Sequence, residues 1–404
     1  MKYTIIGFLI LMTVPAQGQL AIQGGTIFPV DGPVIEKGTL LIEGSQIKYV
    51  GKSRKTPKGY REIDARGKVI TPGLIDTANH LGLSEISMIK ATVDGNEETE
   101  AVLPELRVLD ALYLQSKAIM QARKQRITAA GVVPSGRNPF SGVGAVIRCH
   151  GLLTADAVIK QEMGLHVRLG EPPKQLFGGK KAPSTRMGTV AMIRKAFLGA
   201  QNHQDTVKNS AKKGKASARN LKQEALLKAL DGKLKVWFHA HRASDIEAAL
   251  RIAREFKLDI VIARGAQSPR VAALLATEKV PVVVAPVMLV PYTMETQGAS
   301  MATAGALEKA GVQVAIGTMA THDARNLPFQ AGFARAHGLS PQATLKSVTL
   351  DAARILGVDK QLGSITRGKD ADIVIWHGDP FKVMSKPNKV IILGKVVEDN
   401  PEQP

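Results

Sequence analysis

The stretch from Ile70 to His80 constrains the fold of this 404-residue chain more than any other. Its apolar run breaks at Pro72-Gly73, resumes as Leu-Ile, and ends in polar residues that include Asp76. This pattern predicts a buried strand that delivers polar side chains at its carboxyl end. Barrel enzymes hold their chemistry at that end of their strands, so the pattern is typical of a barrel strand.

Alternating strand and helix patterns continue through residue 355 and indicate a parallel sheet with crossover helices. The clearest strand spans residues 235–241, and the helix after it opens with the capping-box pair Ser244 and Glu247. Weaker strand candidates lie at residues 132–133, 145–147 and 165–169. Eight candidates can be counted, which is the number that a closed barrel requires.

Both ends of the chain contain short strand candidates bounded by glycine, a pattern typical of a small antiparallel sheet. The candidates lie at residues 24–28, 38–44 and 47–51 near the start, and at 363–376 and 390–397 near the end. A chain that begins and ends in one sheet must hold its two ends together. The middle of the chain is then a single insertion into that sheet.

The first residues predict export. A basic start and a short apolar run are followed by Ala16 and Gly18, small residues at the positions that a signal peptidase reads, so we expect cleavage before Gln19. The run is too short to span a bilayer, and no later run approaches that length, so no transmembrane segment is expected. We therefore predict a secreted, periplasmic protein.

The single cysteine, Cys149, excludes an internal disulfide, and a buried apolar role is favoured over a catalytic thiol.

The formal net charge of +19 is concentrated in one segment. Nine lysines and arginines between Lys208 and Lys235 face only Glu224 and Asp231. A solvated helix face or loop is the ordinary interpretation of such a run. An anionic partner, either an acidic protein or the outer-membrane surface, is the alternative. Nucleic acid is not expected, because the chain has no recognition motif and no interleaved aromatic residues.

The residues Pro72 to Asp76, together with the Gly-Lys-Asp-Ala-Asp-Ile-Val segment at residues 368–374, resemble the amidohydrolase superfamily and its imidazolonepropionase-like, metal-dependent members. The resemblance covers nearly the whole chain after residue 18. It implies a (β/α)8 TIM barrel, residues 70–355, with a small β-sandwich built from both chain ends, residues 19–69 and 356–404. Residues 1–18 form the predicted signal peptide.

The resemblance also implies one or two divalent metals above the barrel. Their ligands would be a histidine pair on the first strand, a bridging carboxylate or carbamylated lysine, histidines ending strands five and six, and an aspartate ending strand eight. Three of these positions, Ala78, Arg264 and Met319, carry residues that cannot do the same work. Alanine cannot coordinate, a guanidinium is permanently charged, and a thioether cannot replace the family's catalytic base. Arg264 either favours a carboxylate or another anion in the pocket, or turns outward to a surface acid.

Other positions keep candidate ligands. His80 and His239 match the family's positions on strands one and five, and Glu171 is a candidate oxygen ligand. His166 replaces the expected bridging lysine, and His241 lies two residues after His239, on the same face of that strand. Besides Arg264, we expect His166 and His241 to contact substrate or an anion, although structural roles are the alternative. His322 and Asp323 lie in the loop after Met319, where surface roles are favoured over replacement of the base.

Three functions are compatible with these patterns. The first is an amidohydrolase-like protein that is catalytically impaired, needs no cofactor, and acts as a binding or partner subunit beside an intact paralogue or an acidic partner. The second is a hydrolase of carbon–nitrogen bonds, acting on a non-peptide or dipeptide amide, with one divalent metal such as zinc held by His80, His239 and Glu171. The third is an envelope-interaction protein that uses its basic surface. In each case we expect an oligomer.

Overall fold

The structure, a computed structural model, describes residues 18–179, 182–382 and 385–397. The predicted signal peptide lies outside this part of the chain apart from Gly18. The strands are β1 (Gln19–Ile27), β2 (Ile35–Glu43), β3 (Gln46–Gly51), β4 (Arg61–Asp64), β5 (Val69–Pro72), β6 (Leu74–Asn79), β7 (Ile127–Val132), β8 (Phe140–Arg148), β9 (Val158–Arg168), β10 (Val236–Ala240), β11 (Ile260–Arg264), β12 (Val282–Val284), β13 (Val314–Ile316), β14 (Ile373–His377), β15 (Lys386–Ile392) and β16 (Lys395–Val397). The helices are α1 (Lys117–Lys124), α2 (Thr154–Ala157), α3 (Glu171–Phe177), α4 (Arg186–Lys212), α5 (Leu221–Leu230), α6 (Ala243–Phe256), α7 (Ala272–Thr277), α8 (Thr303–Lys309), α9 (Leu327–Ala336), α10 (Pro341–Ser347) and α11 (Leu350–Leu356).

Strands β6 to β13 form an eight-stranded sheet in chain order, and its two edges meet in a nearly closed barrel. At the seam, the backbone N–H of Met319, three residues after β13, donates to the carbonyl oxygen of Ala78 on β6 at 2.8 Å. Gly317 lies so close to β6 that a Cβ atom there would be 2.9 Å from the Ala78 nitrogen. The predicted barrel of eight strands is therefore present.

Strand β8 departs from the expected all-parallel arrangement, because it is antiparallel to both β7 and β9. The connection between β7 and β8 covers only residues 133–139. A parallel crossover needs a dozen or more residues, whereas an antiparallel neighbour can be reached by a short loop. The expectation of parallel strands with crossover helices throughout was therefore wrong at this one strand, and the other barrel neighbours are parallel.

Side chains alternate between the barrel interior and the helix layer, and this alternation positions the functional residues. On β10, Phe238 packs in the large cluster that includes residues of the surrounding helices, whereas Trp237 belongs to the inner cluster. The Trp237 ring approaches β9 so closely that a Cβ atom on Gly164 would lie 2.3 Å from it. His239, two residues after Trp237, therefore points to the interior at the carboxyl end of β10.

Strands from both chain ends share a second eight-stranded sheet, in the order β16-β15-β14-β5-β1-β2-β3, with β4 paired to β1. The packing of this sheet into a two-layer sandwich stays a prediction.

The stretch that we interpreted as one barrel strand is divided between the two sheets. Residues up to Pro72 pair with β14, and the barrel strand begins only at Leu74. The intervening Gly73 has no room for a side chain, because a Cβ atom there would lie 2.0 Å from the Thr128 hydroxyl oxygen.

Helix α4 is 27 residues long, but only its first half is packed against the barrel. Its buried residues are Thr189, Ile193, Phe197 and Ala200, and no residue from Gln201 to Asn220 is buried. The second half is therefore a largely solvated helix that continues beyond its packing surface. Within the described residues, no helix, α4 included, combines the length and the apolar character needed to cross a membrane.

Candidate functional site

A cavity of about 300 Å³ opens at the carboxyl ends of the barrel strands. Its polar and charged lining comes from the ends of β9, β10 and β11 and from the loops that follow β7 and β12, and includes Ser135, Arg137, Arg168, Glu171, Gln175, His239, His241, Arg264, Tyr292, Thr293, Glu295 and Thr296. The volume is at the lower end of the range for small-molecule sites. This is the end of the barrel at which the sequence predicted the chemistry.

Three of the predicted histidines cluster beneath the cavity. His166 Nδ1 and His239 Nε2 share a hydrogen bond of 2.9 Å, while His166 Nε2 and His239 Nδ1 have no partner among the described residues. His80 Nδ1 donates to the carbonyl oxygen of Val133 at 2.8 Å. Burial lowers the pKa of His80 to about 4 and holds the pKa values of His166 and His239 well below the usual histidine value. All three imidazoles are therefore neutral near pH 7.

Two arginines face the histidines. Arg168 on β9 is only 3% exposed, and its Nη2 donates to the carbonyl oxygen of Pro134 at 3.3 Å, whereas its Nε is unpaired. Arg264 is half-buried with an unpaired Nε. Burial lowers the pKa of both guanidinium groups, and no carboxylate of the described residues pairs with either one. The base of the cavity therefore carries two positive charges without a protein counterion.

Backbone conformation explains why Arg264 lines the cavity. Strand alternation places Ala263 in the inner cluster, so a side chain at position 264 of a regular strand would point toward the helices. Arg264 instead has φ of +81°, in the left-handed region that is costly for a residue other than glycine. This conformation breaks the alternation and brings the guanidinium to the cavity wall. Of the two predicted orientations for Arg264, the structure shows the one directed into the pocket.

Acidic side chains occupy another part of the cavity wall. Glu295 is 4% exposed and accepts a short hydrogen bond from Arg186, which also bonds to Asp245 at 3.3 Å. Burial raises the pKa of Glu295. Glu171, predicted as an oxygen ligand, lines the same cavity at the first position of α3. The cavity therefore has two oppositely charged parts, with Arg168 and Arg264 at the strand ends, and with Glu171 on α3 and Glu295 after β12.

Asp76 holds the barrel seam and does not line the cavity. Thr318 donates to its carboxylate from both the hydroxyl, at 2.6 Å, and the backbone N–H, at 3.0 Å. Burial raises the pKa of Asp76 to about 7. Met319, at the position of the family's base, has φ of +49° and packs on the apolar inner cluster that contains Ala78. The buried Asp76 carboxylate therefore joins β6 to the residues that follow β13, and Ala78 and Met319, at positions where the resemblance implies metal ligands, are apolar.

The described residues do not fit a metal ion held by His80, His239 and Glu171. No three histidine, cysteine, aspartate or glutamate side chains in this part of the chain form a group that could hold a metal. His239 Nε2 is engaged by His166, and the two guanidinium groups next to the imidazoles would repel a cation.

The remaining predicted residues have separate positions. His241 is buried at the cavity wall with an unpaired Nδ1. His322 Nε2 bonds to the carbonyl oxygen of Glu85 at 2.7 Å, which joins two loops on the surface, and no role as a base follows from that contact. Cys149 is fully buried, and burial raises the pKa of its thiol above the usual range. This agrees with the apolar role expected for the cysteine.

Sequence reasoning assigned no role to Arg168 or Glu295. The signal for Arg168 was available, because it lies two residues after His166 and therefore on the same face of the strand. No local pattern marks Glu295, which lies in a short 3₁₀ helix after β12 and reaches the cavity only through the fold.

Gly170→Ala is expected to displace the Glu295 carboxylate. Gly170 has φ of +87°, and a Cβ atom there would lie 2.5 Å from both Glu295 oxygens. We expect a loss of about 2–4 kcal/mol in the free energy of unfolding, measured by urea denaturation, from backbone strain and the contact together. Gly179→Ala is the matched control, because φ there is +96° but no atom of the described residues lies within 4 Å of the added atom. Equal losses in the two variants would contradict the contact with Glu295.

Acidification is expected to destabilise the protein between about pH 6.5 and 4 through its buried histidines. Burial, together with the positive charges of the nearby Arg264 and Arg168, lowers the pKa of His241 to about 3. The unfolded chain binds a proton near pH 6.5 that the folded chain excludes, so the free energy of unfolding falls with pH by about 1.4 kcal/mol per unit for this residue. His241→Gln should remove that part of the slope in denaturation measured across the range. The exposed His337→Gln should leave the slope unchanged, and an identical slope in both variants would refute the expectation.

The barrel, the second sheet and the polar cavity at the strand ends define an α/β-barrel protein with a candidate site at the carboxyl ends of its strands. Residues 69–397 match the model of the Amidohydrolase family. A solved structure of an amidohydrolase from Thermotoga maritima MSB8 is 34% identical and superposes with a TM-score of 0.89 over 94% of this chain and 99% of that one. The chain therefore belongs to the Amidohydrolase family, whose members typically use a divalent metal such as zinc.

Two curated relatives are more distant. An imidazolonepropionase from Paracoccus denitrificans is 25% identical over 365 residues, which cover 85% of this chain and 88% of the relative. Amidohydrolase tasK from Hapsidospora irregularis is 25% identical over 394 residues, which cover 90% of this chain. The match spans only 40% of the length of that relative.

Proposed function

We propose that this protein is a non-hydrolytic member of the Amidohydrolase family that binds a small carboxylate-bearing ligand and acts as a binding or partner subunit. The observation that carries the proposal is the pair Arg168 and Arg264 at the base of the cavity, neither of which is paired with a carboxylate of the described residues. An unpaired buried charge is costly, so a bound anion would stabilise the folded protein.

The chemistry of the two arginines favours a carboxylate. A guanidinium offers parallel N–H donors that match the two carboxylate oxygens, and such charge-assisted bonds are stronger than neutral ones. The neutral imidazoles beneath add polar contacts without adding charge. Ala78 and Met319 supply neither a ligand nor a base for hydrolysis at the family's positions. The same pocket that would hold a metal in a hydrolase is therefore suited to hold an anion.

Calorimetric titration tests the proposal with acetate and succinate as probes and with acetamide and succinamide as their uncharged controls. We expect heat of binding from the carboxylates only, together with a higher thermal midpoint in their presence. Equal binding of acids and amides, or no binding by either, would sink the proposal.

The second candidate is a hydrolase with a single metal. The observation that favours it is the pair of unpartnered nitrogens, His166 Nε2 and His239 Nδ1, on imidazoles that are kept neutral. Neutral imidazole is the form that binds metals. Protein purified after zinc supplementation can be examined by elemental mass spectrometry. Stoichiometric zinc that disappears in His239→Asn would favour this candidate over the anion-binding one.

A further inference from the structure

The positive charge between Lys208 and Lys235 divides into a paired and an unpaired group. Five of the nine cations form ion pairs: Arg219 with Glu224, Lys222 with Glu100, Lys228 with Glu162, Lys233 with Asp231, and Lys235 with Asp259. The other four, Lys208, Lys212, Lys213 and Lys215, have no acidic partner among the described residues. These four residues, which we call the basic tip, lie within eight positions of one another.

The basic tip occupies the end of a projecting helical hairpin. Helix α5 packs back against α4, and the turn between them covers residues 213–220. Every residue from Ala211 to Asn220 is exposed. The sequence from Thr206 to Arg219 contains no acidic residue. The tip therefore presents a local positive charge that a large anionic surface can approach.

The chemistry of the basic tip favours binding to an extended anionic surface over recognition of one particular residue or base. Small and polar residues separate the lysines, and no aromatic residue that could stack on one particular side chain or base lies between Lys208 and Lys215. Lysine ammonium groups on flexible stems act as point charges without a fixed geometry. Anionic lipid headgroups attract such clusters, with an effect that grows with each added lysine.

The tip is remote from the cavity. Arg186, the first residue of α4, bonds to Glu295 at the cavity wall, and the tip lies at the other end of the helix. A helix of this length spans about 40 Å. Contact between the tip and a surface would therefore leave the opening of the cavity free.

From these observations we propose that the α4–α5 hairpin docks the protein on an anionic lipid bilayer through Lys208, Lys212, Lys213 and Lys215. This role is independent of the ligand in the barrel. Both can operate at once, because the two surfaces lie at opposite ends of α4.

Co-sedimentation with vesicles tests the docking. The purified protein is mixed with vesicles of equal parts phosphatidylcholine and phosphatidylglycerol, or of phosphatidylcholine alone, at about 0.05 M and about 0.5 M salt. We expect binding only to the anionic vesicles and only at low salt. Replacing all four tip lysines by glutamine should lower the partition coefficient about 100-fold or more, with an unchanged thermal midpoint.

The matched control removes four other exposed lysines, Lys48, Lys52, Lys55 and Lys58, and therefore lowers the net charge equally. It should reduce binding less than tenfold. An equal loss in both variants would show attraction by overall charge and overturn the proposal. Binding of polyglutamate without binding of anionic vesicles would overturn it as well, because the tip would then fit an acidic polypeptide.

Discussion

Arg168→Met is expected to abolish carboxylate binding and, at the same time, to make the protein more stable when no anion is present. Arg168 is buried, and the charged groups that lower its pKa, after burial itself, include Arg264 and Arg137. Methionine has a similar length and removes the uncompensated charge. We expect the free energy of unfolding in anion-free buffer to rise by about 1–4 kcal/mol, and succinate affinity to fall at least about 100-fold.

The opposite signs distinguish a ligand-binding arginine from a structural one. If Arg168 mainly supported the fold through its bond to Pro134, both stability and binding would fall together. Arg264→Met should behave like Arg168→Met, with a smaller gain in stability because Arg264 is less deeply buried. Arg270→Met is the control, because Arg270 is exposed six residues further along the chain. It should change neither quantity, and urea denaturation with calorimetry measures both.

Arg148→Met is expected to lower the free energy of unfolding by about 3–5 kcal/mol, because it breaks a buried ion pair between the barrel and the segment that leads into β14. Arg148 on β8 donates to Asp372 at 2.6 Å and also bonds to Asp370, with side-chain exposures of 7% for Arg148 and 4% for Asp372. Removing the arginine leaves the Asp372 carboxylate buried without its counterion. Denaturation in urea at pH 8 measures the loss.

The stability loss caused by Arg148→Met should also depend on pH. Burial raises the pKa of Asp372 to about 6 even with Arg148 in place, so loss of Arg148 raises it further. Near pH 5 the carboxyl group is protonated in the folded variant, and the destabilisation should be smaller than at pH 8. Arg335→Met breaks a more exposed pair with Asp379 and should cost less than about 1 kcal/mol. Equal losses in the two variants at pH 8 would contradict the buried role of Arg148.

The fold could be predicted because its signals are local. The break at Pro72-Gly73 and the apolar residues within the segment 363–376 predict strands from local sequence, and the structure has the strand junction at Gly73 and β14 from Ile373. The direction of β8 could not be predicted in the same way. It depends on how far the short loop before it can reach, and a weakly periodic region does not define where that loop begins.

The site was only partly predictable for a different reason. Ala78, Arg264 and Met319 were found because each replaces a residue of known chemistry at a known position. Whether Arg264 points inward depends on its left-handed backbone, which no sequence pattern shows. The absence of a counterion for Arg168 is a property of all its neighbours together, so it becomes visible only in three dimensions.

The sheet shared by both chain ends also governs the order of assembly. Strand β5 pairs with β14, and Ile70 lies opposite Ile375. One edge of β5 therefore stays unpaired until the chain around Ile375 is available. About three hundred residues separate these partners, and contacts of such long range form slowly. The edge of β5 therefore stays open while the barrel is made, and an open edge is a site for wrong pairing. Chaperone contact should concentrate on this strand until β14 pairs with it.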